Sequence, residues 1–345
     1  MKPSVLISCC LFGIFLSSCE KPYHPEDLDT GKKIPVIQGS INNVPGPYTV
    51  TLFWASPLGN DRREPIDDAS VSISDDLGSL EPLTLTASGT YETSTEGFSG
   101  IPGRTYTLDV VLSDGEVYQS TPTTLESPRM TYSLYERIGK EVDYVKNPYG
   151  EFLTTTYKGL HYKVDMTLIS ALQHYYCFNT RMISQFITYT PQHVIYSWKI
   201  SYLNTLPNIK ATMGNNDTLI IKGHELGFIR YKENPAGCAL KTRINSVSKE
   251  VFEYYQTIIE QLSSNTQIFD PIPSQVTGNI KCLSDPSKTV LGVFEVGELY
   301  IRNLGIYWKP GSGIIKQVEL SPDYEGPAYD GYTLDDPPDF WVDFD

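Results

Sequence analysis

The sequence has few basic residues and only one long apolar run. It carries 27 Lys and Arg against 41 Asp and Glu, which gives a net charge of −14. Proteins that bind nucleic acids neutralise phosphates with Lys and Arg, so this balance argues against a nucleic-acid partner. The apolar run, Val5 to Leu16, is shorter than the roughly 20 residues that a membrane-spanning helix needs. No transmembrane helix is therefore predicted.

The sequence also lacks the motifs of common catalytic and metal sites. Its five histidines include no pair spaced four residues apart beside a Glu, the pattern of a metalloprotease helix. No Gly-x-Ser-x-Gly elbow and no phosphate-binding Gly-x-x-x-x-Gly-Lys-Ser/Thr loop is present. The cysteines after residue 18 show no spacing typical of zinc ligands. We therefore predict no catalytic residue, no metal and no cofactor, and we expect a protein that is not an enzyme.

The first nineteen residues are typical of a lipoprotein signal. Lys2 precedes the apolar run, and Ser17 and Ser18 lead to Cys19. A basic start, a short apolar stretch and small residues at the end indicate a secretory signal, and the cysteine at the cut point resembles that of bacterial lipoproteins. We expect residues 1–18 to be removed and Cys19 to carry the lipid that anchors the protein to a membrane. Residues 19–33 are predicted to form a polar tether.

Three cysteines remain once Cys19 is assigned to lipid. They are Cys177, Cys238 and Cys282. Because the cell envelope is oxidising, we expect one disulfide between two of them and one free thiol. The sequence leaves all three pairings open.

Residues 34–126 show short strand patterns separated by turns. Thr105–Leu112 places Tyr106, Leu108 and Val110 on one face, as expected for a strand with one buried side. About seven such strands, with turns every 8–12 residues, are typical of an immunoglobulin-like β-sandwich. This region is therefore predicted to form the first domain of a mainly β protein.

Residues 127–309 are predicted to form a second β-rich domain with one amphipathic helix near residues 249–262. Leu160–Ile169 is among its predicted strands. Ser248 is a suitable N-cap for the helix, and the apolar residues after it repeat with a period of 3.6 residues. These residues are Val251, Phe252, Tyr255, Ile258, Ile259 and Leu262.

Aromatic residues crowd the start of this second region. They are Tyr132, Tyr135, Tyr144, Tyr149, Phe152 and Tyr157, followed by Tyr175, Tyr176 and Phe178. Aromatic surfaces stack on sugars and form protein interfaces, which makes this group a candidate binding patch. Half-buried strand positions would explain most of its members without a binding role.

Carboxylates are paired at two points and concentrated at the C-terminus. Asp67-Asp68 and Asp75-Asp76 flank a predicted strand, and we interpret them as turn residues, with calcium binding as the alternative. Residues 310–345 form an acidic, turn-rich tail that has no basic residue after Lys316. A solvated segment is the default interpretation of such a tail.

A set of short segments, in a fixed order along the chain, points to one family. In the first domain they are Val36–Gly39, Pro45–Leu52, Ile66–Val71 and Pro102–Leu108. In the second region they are Glu253–Tyr255, Ile268–Pro273, Gly278–Ile280 and Val290–Phe294, and near the end of the chain Pro338–Trp341 follows. Together they resemble the Bacteroidota lipoprotein family known as domain of unknown function 4249. Many relatives carry a close cysteine pair before the last of these segments, and this chain does not.

The resemblance implies an envelope lipoprotein that is often associated with TonB-dependent transporters of the outer membrane, and it implies no reaction. We therefore expect a lipid-anchored outer-membrane accessory or binding protein that partners such a transporter in nutrient uptake. Two alternatives stay open at this point. One is a structural or adhesive module at the cell surface, and the other is a hydrolase with an unrecognised site.

Overall fold

The computed structural model describes residues 33–56, 63–95, 98–147, 149–189, 194–215, 217–231, 237–263, 276–308, 315–319 and 333–334. Within these ranges the chain is mainly β with a single helix, which confirms the predicted class. In the same ranges, no helix combines the length and apolar character needed to cross a membrane. The signal, Cys19 and most of the acidic tail lie outside the described residues.

The strands and the helix follow one another along the chain in three groups. The first group is β1 (Pro35–Ile41), β2 (Thr49–Trp54), β3 (Glu64–Pro65), β4 (Ser70–Asp75), β5 (Leu80–Ala87), β6 (Thr90–Glu92), β7 (Thr105–Val111), β8 (Val117–Ser120) and β9 (Thr123–Thr124). The second is β10 (Arg129–Lys146), β11 (Phe152–Ile169), β12 (Tyr175–Tyr189), β13 (Val194–Tyr202), β14 (Asn208–Ala211), β15 (Met213–Asn215), β16 (Thr218–Arg230), β17 (Gly237–Val247) and α1 (Lys249–Ser263). The last is β18 (Ile280–Cys282), β19 (Leu291–Val296), β20 (Leu299–Trp308), β21 (Ile315–Glu319) and β22 (Thr333–Leu334).

The strands of the first group pair with β18 and β19, which come late in the chain, to form one continuous eleven-stranded sheet. This sheet is here called the first body. Its order is β18-β8-β7-β4-β5-β6-β2-β1-β19, with β3 beside β2 and β9 beside β7. β5 links the two halves, since Leu83 pairs with β4 while Leu85 pairs with β6. The sheet is nearly closed, because Asn279, next to β18, hydrogen-bonds to Phe294 in β19.

Alternating apolar residues build the core inside this sheet. Tyr106, Leu108 and Val110 of β7 are all buried, which confirms the face predicted for that strand. β19 runs parallel to β1, with Val36 opposite Leu291. The sheet expected from residues 34–126 is therefore completed by two strands from residues 280–296, which the sequence patterns had placed in the second domain.

The second body consists of two facing sheets. One has four strands in the order β10-β11-β16-β15, and the other has the order β21-β20-β17-β12-β13-β22 with β14 beside β12. Their inner faces share one apolar core, in which the Tyr162 hydroxyl of β11 lies 3.1 Å from Thr242 Oγ1 of β17. Burying one face of each sheet in this way leaves polar residues outside.

The helix α1 packs where the second body meets β19. Ser248 caps it, since its Oγ accepts a hydrogen bond from the Val251 amide at 3.3 Å and its carbonyl accepts one from the Phe252 amide at 3.0 Å. The predicted N-cap and helix are thus confirmed. Val251 is fully buried against Val247 and Val293, so the apolar face of the helix joins the two bodies.

Candidate interaction surface

The two longest strands of the protein form a hairpin that extends beyond its own sheet. β10 and β11 pair along their whole lengths, from Arg129 opposite Ile169 to Lys146 opposite Phe152. Their neighbour β16 pairs with β11 only as far as Gly159. Residues 140–158 therefore continue as a two-stranded ribbon, here called the projecting hairpin, which reaches roughly 24 Å at about 3.4 Å per residue.

The turn of the projecting hairpin is set by Asn147 and Gly150. Asn147 Oδ1 accepts hydrogen bonds from the amides of Tyr149 and Glu151, both at 2.9 Å. Gly150 adopts a φ of +88°, a conformation that is costly for residues with a side chain. These contacts turn the chain back on itself, and Tyr149 in this turn is 90% exposed.

Apolar and aromatic side chains cover the end of the projecting hairpin. Tyr149 is 90% exposed and Phe152 is 71% exposed. Val142, Tyr144 and Leu153 are exposed as well. Clusters of this kind usually mark surfaces that bind another molecule, because leaving them in water is unfavourable.

A charged clamp holds the base of the hairpin on the body. Arg230, the last residue of β16, lies 2.8 Å from Glu141 Oε2 and 3.2 Å from Asp143 Oδ2. Its guanidinium carbon also lies 4.1 Å from the centre of the Tyr157 ring, a cation–π distance. Because side chains alternate along a strand, this clamp holds one face while Val142, Tyr144 and Phe152 project from the other.

The second body carries several grooves, of which two are larger than the others described. One, of about 480 Å³, runs beside the clamp and is lined by Glu141, Arg230, Glu225, Lys199 and Tyr202 among others. The other, of about 840 Å³, lies between β14 and α1 and mixes apolar with amide side chains, including Leu206, Ile209, Asn208, Phe252 and Gln256.

The histidines near the first groove are fixed by hydrogen bonds. His161 Nδ1 lies 2.7 Å from Glu225 Oε1, and His224 Nε2 lies 2.5 Å from Asn208 Oδ1. Burial, followed by the charge of Lys210, lowers the pKa of His224 to about 4, so this ring is neutral at physiological pH. His224 lies within β16, where a bulge interrupts the alternation of side chains.

A serine, a histidine and an acid meet at the opposite end of the second body. Ser170 Oγ lies 2.8 Å from His174 Nε2, and Glu126 Oε2 lies 3.5 Å from His174 Nδ1. This order of contacts matches that of a nucleophile, a base and an orienting acid. Ser170 Oγ also accepts a hydrogen bond from the Leu172 amide, which is the local turn chemistry of serine. The groove beside α1 reaches Gln173 but is not lined by Ser170 or His174.

The cysteines of the expected disulfide are all free thiols, so that bond is not formed in the structure. They belong to three different apolar clusters. Cys177 packs near α1, Cys238 lies between the two sheets of the second body, and Cys282 lies in the first body. Burial, with a smaller contribution from Glu295, raises the pKa of Cys177 to about 12, and burial raises the pKa of Cys238. Both thiols are therefore held in the unreactive protonated form.

Asp75 and Asp76 serve a turn, as the favoured interpretation predicted, whereas Asp67 Oδ1 accepts a hydrogen bond from the Gly89 amide and Asp68 Oδ2 accepts one from the Ser113 hydroxyl. Asp75 Oδ1 accepts hydrogen bonds from the amides of Leu77 and Ser79. Arg104 bridges the Asp75 and Asp76 carboxylates. In the described ranges, no three His, Cys, Asp or Glu side chains are grouped closely enough to hold a metal ion.

The structure divides the candidate aromatic patch. Tyr144, Tyr149 and Phe152 are each exposed towards the end of the projecting hairpin. Tyr132 instead contacts Tyr300 at 6.0 Å between ring centres, and the Tyr135 hydroxyl donates to Asp165. Tyr176 and Phe178 lie in the core of the second body, while Tyr175 packs on Phe252 of α1. The sequence analysis did not predict the Arg230 clamp, because Arg230 and its acidic partners Glu141 and Asp143 are almost ninety positions apart in the chain.

Comparison with known proteins returns one family. A family model described as domain of unknown function (DUF4249) matches residues 20–299. No curated protein and no solved structure matches the chain.

Proposed function

The chain belongs to the DUF4249 family, and we propose that it is a lipid-anchored accessory or binding protein of the outer membrane that partners a TonB-dependent transporter in nutrient uptake. In this proposal a lipid on Cys19 holds the folded bodies near the membrane, and the projecting hairpin contacts the transporter. The protein contributes binding and positioning, and catalyses no reaction.

The observation that carries the proposal is the exposed end of the projecting hairpin. Tyr149 and Phe152 offer large apolar surfaces at the tip of a narrow ribbon. Aromatic side chains are enriched in the centres of protein interfaces. A ribbon of this length can reach into a concave partner that the rounded bodies cannot enter.

The test is co-purification from detergent-solubilised membranes. We expect the wild-type protein to recover a TonB-dependent transporter, and the double variant Tyr149→Ser with Phe152→Ser to lose it. The matched control is Leu77→Ser with Leu80→Ser, which removes two exposed apolar side chains from the first body and should leave recovery unchanged. If the wild type recovers no transporter, or if both double variants recover it equally, the proposal is wrong.

The immunoglobulin-like class of the first body remains part of the proposal. The consecutive antiparallel pairing of β4 with β7 and of β7 with β8 supports it. The parallel pairing of β1 with β19 departs from the simplest version of that fold. An experimental structure of the first body in the full chain would decide the class.

A hydrolase is the second candidate function, and the contacts of Ser170 with His174 favour it. An activated serine of this type reacts covalently with fluorophosphonates. The test is labelling of the purified protein with a fluorophosphonate probe, using Ser170→Ala and the unrelated Ser287→Ala as paired variants. Labelling that disappears only in Ser170→Ala would support the hydrolase, and absence of labelling in the wild type would exclude a serine mechanism at this site.

A further inference from the structure

The outer edge of β10 is a long and unpaired strand edge. Within the described ranges β10 pairs only with β11, so the peptide groups facing away from β11 along Arg129–Lys146 have no strand partner there. Exposed edges of this length readily accept another strand. A two-stranded ribbon is also marginally stable in water by itself, and a third strand stabilises it.

Two lysines that face each other across the projecting hairpin give it a local excess of positive charge. Lys140 lies directly opposite Lys158 in the β10–β11 ladder. In the part of the chain that the structure describes, neither lysine takes part in an ion pair. Like charges placed opposite each other destabilise a ladder, so an acidic side chain supplied from outside would stabilise this part of the hairpin.

Apolar residues share the face that carries Lys140. Because side chains alternate, Ile138, Val142 and Tyr144 project on the same side of β10 as Lys140. Ile138 is 61% exposed, and Val142 and Tyr144 are exposed too. This edge is unpaired, and it presents apolar side chains together with the positive charge of Lys140. A strand that fits it would carry apolar side chains and one acidic side chain at the facing positions.

We propose that this partner is β10 of a second copy of the chain, and that the two strands pair antiparallel with Ile138 on the twofold axis. In this register Lys140 lies opposite Glu136 of the second copy, Val142 opposite Leu134, and Tyr144 opposite Tyr132. Symmetry makes each pair occur twice. The product is a continuous eight-stranded sheet across the dimer, with β11-β10-β10-β11 at its centre.

The neighbouring registers are less favourable. Centring on Arg137 places the two Arg137 side chains opposite each other, and centring on Gly139 places Val142 opposite Glu136. Only centring on Ile138 gives both the lysine–glutamate pair and the apolar pairs. Burial raises the pKa of Glu136, and a facing lysine would offset this by stabilising the charged carboxylate.

The inference does not rest on the proposed function. The dimer uses the side edge of β10, whereas the transporter proposal uses Tyr149 and Phe152 at the tip. A protein that dimerises without recovering a transporter would uphold one proposal and reject the other. A monomeric protein that recovers a transporter would do the reverse.

The experiment is a charge exchange followed by sedimentation velocity of the full lipoprotein in detergent. We expect the wild type to be dimeric, and Lys140→Glu alone or Glu136→Lys alone to raise the dimer dissociation constant at least tenfold, because each places like charges opposite each other twice. Mixing the two variants should restore a dimer, since every facing pair is then Lys opposite Glu. Recovery on mixing also shows that both variants are folded.

Two further measurements complete the test. The control Lys281→Glu makes the same charge change at an exposed site on β18 and should leave the dimer intact. Ile138→Cys should form a disulfide between copies on oxidation, whereas Ile101→Cys, also exposed, should not. A wild type that stays monomeric at high concentration, or single variants that dimerise as well as the wild type, would overturn the inference.

Discussion

The side chain of Asn279 pairs with the backbone of Phe294 as a neighbouring strand would. Its Nδ2 donates to the Phe294 carbonyl at 2.8 Å, and its Oδ1 accepts from the Phe294 amide at 2.9 Å. The Asn279 carbonyl accepts in turn from the Thr121 amide, just after β8, at 2.7 Å. One buried residue therefore connects the two ends of the eleven-stranded sheet.

Replacing Asn279 with Ala should weaken the first body strongly. Two buried backbone groups of Phe294 would lose their partners, and we expect a loss of roughly 2–6 kcal/mol, because each such group costs about 1–3 kcal/mol when unsatisfied. Urea unfolding measures this loss. The control Lys281→Ala, exposed on the adjacent β18, should change stability by less than ~0.5 kcal/mol. Equal effects of the two changes would contradict the role given to Asn279.

Gly292 should not tolerate any side chain. It has a φ of +101°, and a Cβ there would lie 1.9 Å from the Ile37 carbonyl oxygen across the β1–β19 pair. Gly78 has a similar φ of +86° with no atom within 4 Å of the added Cβ. Gly78→Ala should therefore cost only the conformational penalty of about 1–2 kcal/mol.

Gly292→Ala adds the clash to that penalty, so we expect it to unfold the first body or to lose clearly more stability than Gly78→Ala. Thermal unfolding followed by circular dichroism compares the two variants. Similar melting temperatures would show that β1 and β19 do not approach each other as closely as described.

Glu295 should make stability depend on pH. Burial raises the pKa of Glu295 from its ordinary value of 4.5, although the Tyr255 hydroxyl and Arg243 act in the opposite direction. Between pH 4.5 and the raised pKa, the folded state holds a proton that the unfolded state has released. Unfolding free energy therefore falls as pH rises through this window.

Glu295→Gln removes this titration while keeping an oxygen that can accept from Tyr255. We expect the variant to match the wild type below pH 4.5 and to become progressively more stable than it as pH rises. Urea unfolding at a series of pH values measures the difference. Glu253→Gln, at an exposed position on α1, is the control and should show a difference from wild type that is nearly independent of pH.

The clamp of Arg230 should determine how rigid the projecting hairpin is. Arg230→Gln removes the ion pairs with Glu141 and Asp143 and the contact with Tyr157. We expect amide hydrogen exchange to accelerate in residues 140–146 and 152–158, with little change in global stability, because local opening is independent of the core. Arg63→Gln, on the first body, should leave exchange in the hairpin as it is in wild type.

Local patterns predicted the elements whose contacts are close in sequence. β7 was predictable because Tyr106, Leu108 and Val110 alternate with polar residues, and α1 because a capping serine precedes a regular apolar stripe. The turn roles of Asp75 and Asp76 followed from their side-chain chemistry.

Long-range relationships could not be predicted in the same way. The pairing of β1 with β19 joins residues more than 250 positions apart, and no local period encodes it. The first half of β11, Phe152–Gly159, was also missed, since neither of its faces carries a regular row of apolar side chains. The prediction of a disulfide was wrong for a related reason. The spacing of the cysteines along the chain did not show that Cys177, Cys238 and Cys282 belong to separate apolar clusters.

The late position of β18 and β19 has a consequence for synthesis and export. A nascent chain that has emerged only to residue 279 still carries β1 and β8 as open edges, since their partners have not yet been made. The sheet of the first body therefore cannot be completed until residues 280–296 are available, and contacts this distant in sequence form slowly. Truncation before residue 296 should therefore yield an aggregating product, because the sheet of the first body then lacks β19.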